Sequence, residues 1–187
     1  MSKLQWKGGT MLAPLPAVLV SCADGERTNI ITIGWTGIIC SKPPRTYVSI
    51  RPERYSYELV QKSGVFCINL PSSYLVRQVD LCGVKSGRDM DKFSHFHLTP
   101  EPSLTVPCPS IAECPITLEC KVFEEKPLGS HTMFLADITA VTVDEKIVGE
   151  DGKMRLEKAN LITYGHGTYY TVGKRIGTMG YSVKKKK

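Results

Sequence analysis

Ser49-Ile-Arg-Pro-Glu-Arg-Tyr-Ser56 connects two predicted elements of secondary structure. It joins a β-branched run at Thr46–Ile50, which predicts a strand, to a helical pattern at Arg54–Ser63. The helical pattern stops at Gly64, where a left-handed C-cap is expected. The stretch therefore predicts a strand that runs directly into the N-terminus of a helix.

Two arginines and a hydroxyl group lie at this junction. Arg51, Arg54 and Ser56 stand where a helix presents unpaired N–H groups and the positive end of its dipole. Guanidinium groups bind phosphate oxygens through fork-shaped, charge-assisted hydrogen bonds. The junction therefore fits a phosphate ester, although a surface salt bridge from either arginine to Glu53 or Glu58 explains the same residues equally well.

Outside the junction the chain consists mainly of short apolar runs cut by turn residues, which is typical of an antiparallel β protein with few helices. A second short helix is predicted at Ser73–Leu81, followed by a polar loop at Gly83–Asp91. Tyr74, Val79 and Leu81 are expected to face inward. Six or seven strands at this spacing predict a closed or partly closed barrel. The remaining strands are predicted at Pro16–Ala23, Asn29–Trp35, Val65–Leu70, Pro115–Glu124, Thr132–Val143 and Leu161–Val172.

Two of these strands carry a further pattern. In Pro115–Glu124, apolar and polar residues alternate, so Thr117 and Glu119 are expected on the solvent face of a half-buried strand. Leu161–Val172 is interrupted by two glycines but is predicted as a single strand.

Length and composition favour one soluble globular domain over residues 1–187. The chain is 42% hydrophobic and 22% charged, and a chain of this size buries roughly 70% of its unfolded surface, enough for a core with a cofactor pocket. Its formal net charge of +6 includes a basic tail of four lysines at 184–187. The body of the chain is close to neutral, so a nucleic-acid-binding protein is not expected.

The cysteines indicate a reduced, cytoplasmic protein. Seven are present, an odd number, and several lie in apolar runs where a thiol packs as a small hydrophobic group. None forms a C-x-x-C pair, and His95-Phe96-His97 lacks an evident third ligand, so no metal site is predicted. Pro14 and Pro16 would break the helix of an export signal ahead of Leu19-Val-Ser-Cys22, so neither export nor a membrane partner is expected.

Several motifs that carry chemistry are absent from the sequence. It has no G-x-G-x-x-G after a strand, no G-x-x-x-x-G-K-[ST], no H-E-x-x-H and no G-x-S-x-G. A Rossmann dehydrogenase, a P-loop enzyme, a zincin and a serine hydrolase are therefore disfavoured. The basic junction remains the strongest candidate for a functional site.

Blocks of sequence along nearly the whole chain carry a family resemblance. They are Asn29-Ile-Ile-Thr-Ile-Gly-Trp-Thr-Gly37, Cys40-Ser-Lys-Pro-Pro44, Val48–Ser56, Gly64–Pro71, Cys82-Gly83, Ser86–Phe93, Gly129–Phe134, Leu161–Tyr164 and Gly167–Tyr170. In order and spacing they resemble the flavin reductase-like family of FMN-binding split barrels, closest to its flavoredoxin branch. No single block is highly specific, but the ordered set is.

The resemblance implies a six-stranded antiparallel Greek-key barrel with a few inserted helices, a homodimer, and FMN held without a covalent bond near the subunit interface. It assigns the phosphate to the basic junction, in agreement with the anion site inferred above. It also implies that Trp35 forms an apolar wall beside the flavin ring and that His131, the candidate catalytic residue, lies near a nicotinamide. The implied cofactor-binding residues are Thr32, Ile33, Trp35, Thr36, Ser49, Arg51, Arg54, Ser56, Cys82, Gly83, Ser86, Asp89 and Lys92.

Four of these residues also have purely structural explanations. Trp35 can belong to the core, and Cys82 can be a packing thiol, because a reactive cysteine needs an exposed, electropositive site. Lys92 can pair with Asp89 or Asp91 on the loop surface, a contact that contributes little. His131 can end a strand without a further role.

Three functions are compatible with the sequence. The first is an FMN-dependent oxidoreductase that takes electrons from NADH or NADPH, with the cofactor supplying the chemistry. The second is a non-enzymatic FMN electron carrier reduced by a protein partner, for which the lysine tail could dock an acidic surface. The third is a non-redox barrel that binds another phosphate ester.

Overall fold

The computed structural model of the chain describes residues 1–183, so the predicted basic tail at 184–187 lies outside the described residues. Twelve strands, three α-helices and four short 3₁₀ turns make up the described part. The strands are β1 (Leu15–Pro16), β2 (Val18–Asp24), β3 (Arg27–Ile33), β4 (Thr36–Ser41), β5 (Pro44–Ile50), β6 (Val65–Leu70), β7 (Pro100–Glu101), β8 (Ser110–Ile111), β9 (Ile116–Pro127), β10 (Thr132–Val143), β11 (Ile162–Gly165) and β12 (Thr168–Thr171). The helices are α1 (Tyr55–Ser63), α2 (Val76–Val84) and α3 (Lys92–His95), and the 3₁₀ turns are Ser73–Leu75, Glu145–Ile147, Leu156–Lys158 and Tyr181–Val183.

The largest sheet is an antiparallel barrel split between β3 and β5. Its six wall strands follow the order β3-β2-β6-β9-β10-β5, and β4 is added at the edge beside β5. The pairs β2–β6 and β5–β10 join strands that are distant in the chain, as in a Greek key. A hydrogen bond of 3.0 Å from Ser49 N to Trp35 O ties β5 to the bend between β3 and β4. The predicted mainly β split barrel with few helices is confirmed.

Helix α1 packs against β2 and β3 and contributes to the barrel core. Leu59 and Val60 are fully buried in the same cluster as Phe66 and Phe134. Burial of an aliphatic side chain of this size contributes about 1.5–3 kcal/mol. The predicted end of α1 is confirmed, because Gly64 has a φ of 69° and its N–H donates to Val60 O at 2.8 Å. This packing fixes the N-terminus of α1 beside the split.

Helix α2 differs from the helix predicted at Ser73–Leu81. The segment opens with the 3₁₀ turn, and α2 then continues to Val84, so the predicted loop at Gly83–Asp91 begins two residues later. The prediction that Tyr74 faces inward is wrong, since this side chain is 85% exposed. The tighter 3₁₀ turn shifts the helical phase, and the buried positions become Leu75, Val79 and Cys82, which follow i, i+4, i+7 spacing.

Two predicted strands are divided differently in the structure. The strand predicted at Asn29–Trp35 ends at Ile33, and the following residues form β4, which the sequence analysis missed. The single strand predicted at Leu161–Val172 is a hairpin of β11 and β12. His166 and Gly167 have φ of 47° and 88°, the positive values that a tight hairpin turn requires.

The outer face of β9 is buried rather than exposed to solvent. Thr117 and Glu119 are only 3% and 1% exposed, so their predicted position on a solvent face is wrong. The Glu119 carboxylate accepts hydrogen bonds from the main-chain N–H groups of Leu104 and Thr105. The segment between α3 and β9 covers this face, which strand alternation alone cannot reveal. No helix among residues 1–183 is long and apolar enough to cross a membrane.

Candidate functional site

The basic junction forms a tight turn between β5 and α1. The Arg54 N–H donates to Arg51 O at 3.0 Å, and Arg54 is the N-cap residue of α1. No side chain caps this helix, which leaves its first N–H groups available to a ligand. The turn thus combines two guanidinium groups with an open helix N-terminus, as predicted.

The two arginines differ in their partners. Arg51 is half exposed, and its Nε lies 2.8 Å from a Glu53 carboxylate oxygen. Within residues 1–183, Arg54 has no carboxylate within 4.0 Å. Glu58, the other acceptor considered from sequence, pairs instead with Arg27 at 3.2 Å. The salt-bridge explanation therefore accounts for Arg51 but leaves Arg54 free to bind an anion.

Ser56 lies beneath the turn. It is fully buried, and its Oγ accepts a hydrogen bond of 2.8 Å from Asn29 Nδ2. The other amide atom, Asn29 Oδ1, is buried without a hydrogen-bond partner among the described residues. A buried acceptor left unpaired is costly, so the Asn29 side chain is a candidate ligand contact that the sequence analysis missed.

The segment from Lys85 to Asp91, which we call the strap, lies against Asn29 and the first residue of α1, Tyr55. Arg88 holds it to the turn and to α1, because its Nη1 donates to Glu53 O at 3.1 Å and its guanidinium carbon lies 5.3 Å from the centre of the Tyr55 ring. Gly87 sits so close to Asn29 that an added Cβ would overlap the Asn29 amide group.

Lys92 and Cys82 are buried side chains beside the strap. Lys92 is 3% exposed, and its Nζ donates to Ile30 O at 2.7 Å and to Cys82 O at 2.8 Å. Burial lowers the pKa of Lys92. The surface pairing of Lys92 with Asp89 or Asp91 considered from sequence is not found, since both aspartates are exposed and Lys92 is not. Burial raises the pKa of Cys82 to about 11, so its sulfur stays a thiol at neutral pH.

Trp35 and His131 stand at the other end of β3. Their ring centres are 4.3 Å apart, and Trp35 is 40% exposed, so the alternative that Trp35 is a core residue is not supported. Desolvation, together with the nearby Arg51 charge, lowers the pKa of His131 from its ordinary value of 6.5. Thr32 connects this end to α2 through a hydrogen bond from its hydroxyl group to Val79 O.

Three adjoining cavities form one groove along β3. The first, of about 230 Å³, and the second, of about 180 Å³, share Arg54, and the third, of about 340 Å³, shares Trp35 with the second. Sites for small organic ligands typically measure about 300–1,000 Å³. The groove thus has the size of such a site and runs from a basic end to an aromatic end.

Most of the predicted site residues line this groove, but some do not. Thr36 donates its hydroxyl to Tyr47 O within the β4–β5 pair, Ser56 lies below the groove, and Asp89 faces solvent, so their roles stay predictions. The predicted residues that line it are Thr32, Ile33, Trp35, Ser49, Arg51, Arg54, Cys82, Gly83, Ser86, Lys92 and His131. Lining residues that the sequence analysis did not single out include Asn29, Asp80, Lys85, Gly87, Arg88, Tyr164 and Tyr169.

A split antiparallel barrel with two arginines in the turn between β5 and α1, beside a groove, defines the class of FMN-binding split-barrel folds. The chain belongs to the flavin reductase-like domain family, whose model matches residues 11–173. The resemblance inferred from the ordered blocks of sequence is thereby confirmed.

Two solved structures share this fold over nearly the whole chain. The flavoredoxin of Desulfovibrio vulgaris (Miyazaki F) superimposes with a TM-score of 0.91 and 33% identity, covering 98% of this chain and 100% of that one. A flavoredoxin from Methanosarcina acetivorans gives a TM-score of 0.87 and 26% identity at the same coverage of both chains. The FMN reductase (NADH) RutF of Acinetobacter baylyi is 23% identical over 63% of this chain and 66% of its own.

Proposed function

We propose that this chain binds FMN non-covalently in the groove and is an oxidoreductase that transfers electrons from NADH or NADPH through it. The observation that carries the proposal is the row of three adjoining cavities, which extends from the guanidinium group of Arg54 to the partly exposed Trp35. A phosphate ester with a long, flat ring matches that combination of a charged end and an aromatic end.

The residues present fit the cofactor. Arg54, Arg51 and the uncapped N-terminus of α1 would hold the phosphate. Asn29 Oδ1, a buried acceptor without a partner among residues 1–183, would accept a hydrogen bond from a ribityl hydroxyl group. Trp35 would flank the ring. When bound, FMN supplies hydride and electron transfer.

The chain's own residues orient the ligand and set the charge around it. Lys92 holds the main chain of β3 and α2 together from below, through its bonds to Ile30 O and Cys82 O. His131 is mostly uncharged at neutral pH because its pKa is lowered, so it adds little positive charge beside Arg51. No protein nucleophile is required.

Likeness to named proteins supports both an enzyme and a carrier. One relative is named as an NADH-dependent FMN reductase, which favours the enzyme. The similarity to two flavoredoxins favours the second candidate, an FMN electron carrier reduced by a protein partner. For that candidate we propose that the lysine tail at 184–187 helps to dock an acidic partner.

The test begins with the purified protein. We expect yellow flavin absorbance, or its appearance when FMN is added, and oxidation of NADH or NADPH with bleaching of that absorbance under anaerobic conditions. A preparation that binds no added FMN would overturn the proposal. If neither nicotinamide bleaches the bound flavin while a reduced ferredoxin-like protein does, the carrier replaces the enzyme.

A further inference from the structure

The strap residue Arg88 lies at the basic end of the groove. The cavity at this end is lined by Arg88 and Glu53, and neither residue lines the middle cavity. The middle cavity shares Arg54 with the basic end and Trp35 with the aromatic end. Along the groove, Arg88 therefore lies beyond Arg54 as seen from Trp35.

Arg88 bridges two walls of this end cavity. Its Nη1 donates a hydrogen bond of 3.1 Å to Glu53 O in the turn before α1, and its guanidinium carbon lies 5.3 Å from the centre of the Tyr55 ring. A guanidinium group gains both from such a charge-assisted hydrogen bond and from the face of an aromatic ring. The strap and the turn are therefore joined at the outer end of the groove.

A chain of ion pairs on the protein surface supports this bridge. Glu58 on α1 lies 3.5 Å from Arg88 Nη2 and 3.2 Å from Arg27 Nη1. Arg27 also pairs with Asp24, whose carboxylate lies 3.1 Å from Lys62 Nζ. A single exposed ion pair contributes little to stability, but several charges in one network are the exception. The position of Arg88 is thus tied to α1 and to the β2–β3 turn.

The partners of Arg88 distinguish it from Arg54. Nη1 and Nη2 of Arg88 already have the Glu53 main-chain oxygen and the Glu58 carboxylate. Arg54 has no carboxylate within 4.0 Å among residues 1–183. A terminal phosphate is therefore expected at Arg54, with Arg88 as the wall behind it.

We propose that Arg88 is a specificity-determining residue, which closes the basic end of the groove so that the site takes a flavin monophosphate and rejects a flavin dinucleotide. The inference rests on the proposed function, because it takes the FMN phosphate to lie at Arg54. A dinucleotide continues from that phosphate into a second phosphate and a nucleoside. These groups would have to displace the bond between Arg88 and Glu53 O, and a barrier of this kind selects a ligand by excluding its competitor.

The experiment is equilibrium dialysis of the purified full chain against FMN and against FAD. We expect the wild-type protein to bind FMN more tightly than FAD by at least about tenfold. The Arg88→Ala variant removes the bridge and should bring the two dissociation constants closer together. The Arg88→Gln variant keeps a polar side chain that is shorter, and it should change the ratio in the same direction, so the test does not depend on one variant.

Arg155→Ala is the matched control. Arg155 also pairs with a carboxylate, that of Asp151 at 2.9 Å, and it lines none of the three cavities, so this variant should keep the wild-type ratio. The inference alone is overturned if the wild-type protein binds FMN and FAD equally. It is also overturned if Arg88→Ala weakens both ligands without changing their ratio, which would make Arg88 a phosphate ligand. A protein that binds neither flavin overturns the proposed function as well.

Discussion

At the scale of single residues, the two arginines of the junction are not equivalent. Arg51 already has the Glu53 carboxylate at 2.8 Å, whereas Arg54 has no carboxylate within 4.0 Å among residues 1–183. A phosphate that binds Arg51 must compete with Glu53 for the same guanidinium group. Arg54 therefore contributes the larger share of phosphate binding in the proposed site.

Replacement of Arg54 by Ala is expected to weaken FMN binding by about 2–4 kcal/mol, because a charge-assisted contact to phosphate is lost and the phosphate is left short of donors. The Arg51→Ala variant should lose less. Fluorescence titration of FMN against each variant measures the dissociation constants. The Arg45→Ala control removes an arginine that pairs with Asp137 and should bind FMN normally. Unchanged affinity in Arg54→Ala would favour the non-redox barrel.

The contact between Trp35 and His131 predicts a pH-dependent fluorescence signal. The pKa of His131 is below 6.5 in the folded protein, so the imidazole gains its charge only in more acidic solution. An imidazolium group quenches a neighbouring indole. In a Trp6→Phe background, which leaves Trp35 as the single tryptophan, emission should fall with a midpoint below pH 6.5.

The same pKa shift has a defined sign for stability. Because the unfolded chain binds the His131 proton more readily, this group lowers the free energy of unfolding as pH falls from 6.5 towards its folded pKa.

The control for the fluorescence prediction is the substitution of His131 by Asn, which should abolish the pH-dependent fall in emission. A midpoint at or above pH 6.5 in the folded protein would contradict the desolvated environment of His131.

At the scale of elements, glycines allow α2 and the strap to approach β3. A Cβ on Gly83 would lie 3.3 Å from the Thr32 Cβ, and one on Gly87 would overlap Asn29 and lie 3.0 Å from Tyr55 Cδ1. Side chains at these positions would hold α2 and the strap farther from β3. The absence of a side chain is therefore what shapes the groove wall here.

Replacement of Gly87 by Ala is expected to lift the strap from Asn29. It should lower the free energy of unfolding by about 1–3 kcal/mol, the usual range for an overpacked contact. Because the strap lines the basic end of the groove, we also expect weaker FMN binding, faster FMN dissociation, or both, measured by stopped-flow fluorescence. Gly8→Ala is the matched control, because nothing lies within 4 Å of a Cβ built there. Equal affinity in both variants would show that the strap does not contact the ligand.

At the scale of the whole molecule, the edge of the barrel presents apolar side chains to solvent. β4 is the last strand of the sheet, and Ile38 and Ile39 on it are 67% and 45% exposed. An unprotected apolar edge strand favours association with another chain. The family resemblance implies a homodimer, and we propose that it forms through this edge.

Light scattering coupled to gel filtration should give twice the chain mass of 20.7 kDa at micromolar concentration. Substitution of both Ile38 and Ile39 by Lys should shift the protein towards the mass of a single chain, because charged edge residues oppose pairing. Circular dichroism of the variant checks that the barrel remains folded. A wild-type protein with the mass of one chain would overturn the homodimer.

Where local sequence dictates structure, the predictions hold. The turn at Arg51–Arg54 and the C-cap at Gly64 depend on neighbouring residues and were both anticipated. The strand β4 was missed because its position depends on β5 and on the bend at Trp35, which are long-range features. The prediction that Tyr74 faces inward was wrong because a 3₁₀ turn shifts the helical phase, and the spacing of apolar residues does not reveal that turn.

The candidate site shows the same division. The mainly β class, the family and the charged end of the groove could all be predicted, because they follow from residue types at fixed spacing. The folded chain was needed to show that, among residues 1–183, Arg54 lacks a carboxylate neighbour while Arg51 has one, that Lys92 is buried, and that Asn29 keeps an unpaired amide oxygen. Burial and pairing depend on which distant segments meet, and strand pairing brings those segments together only in the folded chain.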